Sequence, residues 1–326
     1  MFGRKVHQIK KDKAISELIK IKVGQLDQWL YIRGENRDKP IILMIHGGPG
    51  AARIGFIRKS QEELEKHFVI VNWDQRGAGL SYSKKIPSET MNINQFVNDA
   101  IEVTNYLRER FQQDKIYLLG HSWGTIIGLL AVQKGPHLYQ RYFSVAQYGN
   151  YIEAEQLSYK HLLEKAKAEN NRKVFEKLSN IGLPPWNIRK YERVHQKYIE
   201  VFGGGISHDG KLMKKYVKDI FTSGEYTWLD MINLVRGQFF SYKHLQDEMK
   251  KINFNDHVHK VDVPIYFCVG KHDLLIPFET SYDFYNNLAA PEKHWICFEN
   301  SAHSPMVEEK EKFLSLLIEE TNKDNQ

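Results

Sequence analysis

A serine held between glycines, Gly120-His121-Ser122-Trp123-Gly124, separates the apolar run Ile116-Tyr117-Leu118-Leu119 from the small-residue stretch Thr125-Ile126-Ile127-Gly128-Leu129-Leu130-Ala131. No other feature constrains the fold as tightly. The pattern reads as a strand that turns sharply into a helix with the serine at the apex. Such a turn strains the backbone and brings strand and helix so close that a side chain on either flank would collide, which accounts for both glycines. It also lifts the Ser122 hydroxyl out at the carboxyl end of the strand, where the first amides of the helix can stabilise negative charge on a substrate oxygen.

A serine hydroxyl is a poor nucleophile at neutral pH, so a base has to take its proton during attack and return it to the leaving group. Two polar loops supply candidates. Lys271-His272-Asp273 follows the buried-strand pattern Pro264-Ile265-Tyr266-Phe267-Cys268-Val269-Gly270, and His303 lies in Glu299-Asn300-Ser301-Ala302-His303-Ser304-Pro305 after the strand-like Trp295-Ile296-Cys297-Phe298. His303 reads as the base, with Asp273 orienting its ring. Serine, aspartate and histidine, in that order and each after its own strand, follow the chain order of an α/β-hydrolase triad. A second glycine-rich element, His46-Gly47-Gly48-Pro49-Gly50, follows the apolar strand Ile41-Ile42-Leu43-Met44-Ile45. Its unobstructed amides offer one oxyanion-hole donor, assigned to Gly48, while the Trp123 N–H supplies the other.

With Asn72-Trp73-Asp74-Gln75-Arg76-Gly77-Ala78-Gly79-Leu80-Ser81 added to HGGPG and GHSWG, the chain resembles the proline iminopeptidase branch of the α/β-hydrolase superfamily. The resemblance implies an α/β fold with a mostly parallel central sheet flanked by helices, and a helical cap inserted before the last core strands. It carries the triad onto Ser122, Asp273 and His303, and makes Asp74 to Ser81 a loop shaping the site. From the residues alone, Asp74 and Arg76 read as a structural salt pair or a turn. The likeness covers the expected catalytic domain, residues 1–149 and 254–326, and fades between them.

The stretch 150–253 has helical spacing in segments such as Glu153 to Ala168 and Lys211 to Phe221, broken by Leu183-Pro184-Pro185-Trp186 and Gly203-Gly204-Gly205. An insertion of this size between core strands reads as a cap over the active site. The resembled iminopeptidases hold the free amino end of a peptide with acidic cap residues, commonly in a W-x-x-W-E string and a later E-x-H-Y-F-like string. Neither string occurs here. The nearest match to the second, Val235-Arg236-Gly237-Gln238-Phe239-Phe240, has Arg236 where a glutamate is expected, a cation that would repel an ammonium group and attract a carboxylate or phosphate. Glu225 and Asp230 are alternative acids. Three functions therefore compete: a serine hydrolase cleaving peptide-like amides, an esterase or other small-molecule acyl hydrolase, and a non-catalytic binding member of the fold. Dehalogenases and epoxide hydrolases are disfavoured, because they place aspartate where Ser122 stands.

The rest of the sequence narrows the setting. With 46 Lys and Arg against 40 Asp and Glu, charge is nearly balanced and interleaved, so no basic stripe for nucleic acid is expected. No run is apolar enough for a membrane span, and Met1-Phe2-Gly3-Arg4-Lys5 lacks the apolar region of a leader, so the expected setting is cytoplasmic. Cys268 and Cys297 lie in apolar strands as expected buried thiols, too few for a metal site, and the chemistry requires neither metal nor organic cofactor. The expected partner is a small molecule or short peptide; oligomeric state leaves no signal. Further expected elements are a hairpin over Leu18 to Arg33 turning near Gly24 to Asp27, strands at Phe68 to Trp73 and Tyr142 to Ala146, and helices at Ser60 to Lys66, Asn94 to Phe111 and Glu308 to Thr321.

Overall fold

The structure is a computed structural model and describes residues 4–324. Its chain opens with β1 (Ile15–Val23) and β2 (Leu26–Gly34), an antiparallel hairpin joined through Gly24 and Gln25 at φ of 51° and 64°. A two-residue turn with both φ positive has the twist that right-twisted strands need. The other strands are β3 (Ile41–Ile45), β4 (Val69–Asp74), β5 (Ile116–His121), β6 (Tyr139–Val145), β7 (Ile265–Gly270) and β8 (Lys293–Phe298). They form one eight-stranded sheet in the order β1-β2-β4-β3-β5-β6-β7-β8, in which β3 to β8 run parallel and β2 joins β4 antiparallel.

Continuous apolar runs mark strands covered on both faces, and alternation divides them between two cores. Ile41, Leu43 and Ile45 of β3, with Ile116 and Leu118 of β5, enter one core; Ile42, Tyr117 and Leu119 enter the other. Helices α1 (Arg58–Gln61), α2 (Ile93–Phe111) and α3 (Trp123–Lys134) follow β3, β4 and β5 respectively. Asn92 caps α2 by accepting from the Gln95 N–H, and Phe96, Val97, Ala100, Val103 and Leu107 form its buried stripe. α3 is buried almost all round, as the apolar run from Ile126 to Val132 requires.

Between β6 and β7 lie α4 (Tyr151–Ala168), α5 (Arg172–Ser179), α6 (Arg189–Val201), α7 (Leu212–Ser223) and α8 (Trp228–Met249), followed by the short α9 (Phe254–His257). Asn150 and Asn253 pair in an antiparallel bridge, so this excursion leaves and rejoins the sheet domain at one point. Leu162, Leu178, Tyr198, Ile199 and Phe202 give it a core of its own. α10 (Phe278–Asn287), α11 (Pro305–Glu308) and α12 (Lys310–Lys323) complete the fold. The expected helix at Ser60 to Lys66 is instead the single turn of α1 and a 3₁₀ turn at Leu64–Lys66. The expected terminal helix is broken at Glu309, whose carboxylate accepts from the Asn300 N–H and the Ser301 hydroxyl. Cys268 is buried and Cys297 half-buried, both unbridged. Among the described residues no helix is long and apolar enough to cross a membrane.

Candidate active site

Ser122 occupies the turn from β5 to α3 with φ 55° and ψ −121°, a strained conformation for a residue with a side chain. Its surroundings hold it there. The Ser122 N–H donates to the Val145 carbonyl, and its own carbonyl accepts from the N–H and hydroxyl of Thr125. A Cβ at Gly124 would lie 2.2 Å from the Ile45 carbonyl oxygen, and one at Gly120 would lie 2.5 Å from that of Gly124. Both flanks are therefore closed to any side chain, while the first amides of α3, starting with Trp123, have no intrahelical acceptor.

Asp273 and His303 come from the loops after β7 and β8. Asp273 Oδ1 accepts from the Leu275 and Ile276 N–H groups, and its Oδ2 lies 2.7 Å from His303 Nδ1. Facing a carboxylate, Nδ1 carries the ring hydrogen, and Nε2 is left to accept a proton. Ser122 and His303 both line a cavity of about 420 Å³. Gly47 and Gly48 line it as well. The loop they belong to is braced by His46, whose Nδ1–H donates to the Gly47 carbonyl while Nε2 accepts from the Gln75 N–H. Burial lowers His46 to about 3, so it stays neutral.

His121 is fixed in one tautomer. Arginine can only donate, so the Arg53 Nη2 at 2.5 Å makes His121 Nδ1 an acceptor, and the opposite nitrogen donates to the His303 carbonyl at 2.7 Å. Burial, reinforced by the Arg53 charge, holds this imidazole well below the usual histidine range.

The substrate-binding residues expected from the sequence are not where they were expected. Arg236 is exposed on α8 and does not line the cavity, because α8 presents Leu234, Gln238 and Tyr242 to it. Those positions are spaced four apart; Arg236 is two residues out of phase, about 200° round the helix. Glu225 is fully buried away from the cavity, accepting from the Tyr31 hydroxyl at 3.0 Å and Arg58 Nε at 3.1 Å. Asp230 caps the start of α8 through Thr227 and pairs with Arg4. Asp74 and Arg76 do not pair with each other either. Arg76 forms a fully buried bidentate pair with Asp99, at 2.8 and 2.9 Å. Asp74 Oδ2 accepts from the Leu80 N–H and the Tyr226 hydroxyl, and burial raises its pKa to about 6.

Two acids that sequence reasoning missed do reach the cavity. Glu155 lies on α4 one turn after Tyr151 and one before Tyr159, within the apolar stripe, and that displacement from the polar face was its available signal. Glu192 lies on α6, in register with the cavity-lining His195, Gln196 and Ile199. Its Oε2 accepts from the Tyr242 hydroxyl at 3.1 Å, with Lys250 Nζ 4.0 Å from Oε1. Burial, then the Glu192 charge, raises Glu155 to about 7. His195 is buried behind them, lowered to about 4 and bonded through Nε2 to the Ser158 hydroxyl.

The model of the family described as serine aminopeptidase, S33, matches residues 36–310. A probable aminopeptidase, YbaC, of Bacillus subtilis (strain 168) is 38% identical over 309 residues, covering 95% of this chain and 97% of the relative. A proline iminopeptidase of Clostridioides difficile (strain 630) is 27% identical over 307 residues, covering 89% and 93%. Among solved structures, the proline iminopeptidase of Mycobacterium smegmatis superposes with a TM-score of 0.72 at 14% identity, covering 94% of this chain and 98% of that one. A 2-hydroxy-6-oxo-6-phenylhexa-2,4-dienoate hydrolase from Rhodococcus sp. strain RHA1 gives 0.62 at 18% identity, covering 94% and 100%. The two structural likenesses establish the α/β-hydrolase fold. With the family model spanning the loop after β3, the strained serine and the histidine loop alike, the chain belongs to the serine aminopeptidase family S33 and is a serine hydrolase of the α/β-hydrolase superfamily.

Proposed function

We propose that this protein is an aminopeptidase that releases the first residue of short peptides through an acyl-enzyme. Ser122 Oγ attacks the carbonyl carbon of the first residue while its proton passes to His303 Nε2. Asp273 orients the imidazole and stabilises the imidazolium. The oxyanion is received by the Gly48 and Trp123 N–H groups. As the tetrahedral adduct collapses, His303 gives the proton to the departing amine; water then repeats the sequence on the ester and frees the acid. Residues 150–253 act as the cap, and their Glu155 and Glu192 hold the substrate's free ammonium group.

The observation that carries this reading is the presence of those two carboxylates, from separate helices, in the cavity that also contains Ser122 and His303. An ammonium group is the complement that offsets the cost of burying them. The iminopeptidases that the chain resembles, and the relatives named above, support the same substrate class.

The test compares prolyl and alanyl arylamides with a free amino end against their N-acetyl forms and a short acyl aryl ester. Strong preference for the free amine is expected, and Ser122→Ala should fold normally and lose at least about a thousandfold in turnover. Preference for the ester, with little turnover of any free-amine substrate, would make the protein an acyl esterase instead.

A further inference from the structure

On another wall of the same cavity, the loop after β3 and helix α7 contribute Arg53 and Tyr216. Arg53 is partly buried, and among the described residues the one hydrogen bond its guanidinium makes is to His121 Nδ1. Among the described residues no carboxylate forms an ion pair with it. The neighbouring acids have other partners: Asp219 pairs through Oδ1 with Lys59 at 3.1 Å, its Oδ2 being without a partner among the described residues, and Glu308 accepts from the His208, Ala302 and Ser304 N–H groups. The Tyr216 hydroxyl is buried and has no hydrogen-bond partner among the described residues, although its ring is packed on Phe56 at 4.5 Å. A partly buried cation with most of its five N–H donors unused, beside a buried hydroxyl that is also unused, is costly unless a ligand completes the pair.

The position of this corner identifies the part of the substrate it faces. The amine-binding acids stand on α4 and α6, whereas Arg53 is reached from His303 through His121, whose ring centroid lies 4.8 Å from that of His303. His303 protonates the leaving amine, so the group on its side of Ser122 is the one that departs. We infer that Arg53 and Tyr216 bind a carboxylate carried by the leaving group, which makes dipeptides with a free carboxyl end the preferred substrates. A planar guanidinium suits a carboxylate in two-bonded geometry, and the phenol adds a third donor. The inference rests on the aminopeptidase reading for the identity of the substrate, while the anion site itself does not.

The experiment measures kcat/KM for Pro-Leu and Ala-Leu against the matching leucinamides, as a ratio within each variant. Wild type should favour the free acid by about tenfold or more, and Arg53→Met should bring the ratio to within about twofold of one. Arg53→Lys should keep part of it and Tyr216→Phe should lower it partially. A wild-type ratio near one, or one that survives in Arg53→Met, overturns the inference. If Arg53→Met does not fold, the wild-type ratio and Tyr216→Phe decide: an unchanged ratio in Tyr216→Phe counts against the site.

A second arm needs no amine. Hydrolysis of p-nitrophenyl butyrate is inhibited with 4-methylpentanoate or 4-methylpentanamide, and the anion should inhibit about tenfold more tightly in wild type and not in Arg53→Met. Equal inhibition by acid and amide in wild type overturns the anion site. Failure on every free-amine substrate together with selective inhibition by the anion would remove the aminopeptidase reading and leave the carboxylate site standing.

Discussion

Glu155 has to be ionised to attract an ammonium group, and its surroundings oppose that. Burial and the Glu192 charge place its titration at about 7, so near neutrality a change of one pH unit alters the charge of the amine-binding corner. The sign is definite: the protonated form dominates below 7 and cannot neutralise a cation, whereas the ionised form dominates above it. The ratio of kcat/KM for a free-amine arylamide over its N-acetyl form should therefore climb from pH 6 to pH 8. Glu155→Gln should flatten that climb and lower the ratio at pH 8 by about thirtyfold or more, the effect of truncating one side of a buried charge pair. A steep climb retained in Glu155→Gln would assign the titration elsewhere. Using the ratio cancels the ionisation of the general base, which acts on both substrates.

At the scale of elements, β5 and α3 fix the serine only because β3 lies against them, and Gly124 is where the three meet. Gly124→Ala would drive a methyl into the Ile45 carbonyl, a backbone atom that cannot turn aside. Separation of α3 from β3 should cost about 1–3 kcal/mol in denaturant unfolding and lower turnover as the Ser122 turn relaxes; unchanged stability would show that the contact yields easily. This junction was legible in the sequence, because steric closure of both flanks is what the two glycines encode. The strands were legible for a similar reason: a run such as Ile41 to Ile45 is apolar at every position only when helices cover both faces. Helix α8 was not legible. As far as Ser241 its buried positions are Asp230, Gly237 and Ser241, while Trp228, Leu229, Val235 and Phe239 are exposed, so over that length its hydrophobic pattern points away from its packed side; only Leu245 and Met249 near its end bury apolar side chains. Arg236 was assigned to the substrate by the match of Val235 to Phe240 to a family string, which carries no information on which side of the helix faces the cavity. Glu155 was missed for a related reason: a carboxylate in an apolar stripe reads as an error of periodicity until a cavity is seen in front of it.

For the whole molecule, the buried groups set two opposing dependences on pH. His195 is held neutral with a folded-state pKa of about 4 against an ordinary 6.5, so unfolding takes up a proton between those values and stability falls as the solution is acidified below 6.5. His46, at about 3, acts in the same direction. Asp74 acts oppositely. Its folded value of about 6 against 3.8 means that the folded chain holds the proton the unfolded chain has released, so this group's contribution to stability falls as pH rises from about 4 to about 6. Each pH unit within a window is worth about 1.4 kcal/mol per group. His195 therefore accounts for a loss of about 2 kcal/mol between pH 7 and pH 5, and Asp74 for an offsetting gain of about 1 kcal/mol. The two lie on different parts of the molecule, α6 of the helical excursion and the end of β4, so their effects should be separable. Denaturant unfolding of wild type, His195→Gln and Asp74→Asn at pH 7 and pH 5 measures both. Replacing His195 by glutamine, whose amide can still donate to Ser158, should shrink the difference between the two pH values by about 2 kcal/mol. Asp74→Asn should enlarge that difference by about 1 kcal/mol, because the asparagine loses the compensating proton uptake while its amide oxygen still accepts from Leu80 and Tyr226. Shifts of the same sign in both variants would mean that the acid response arises from other groups.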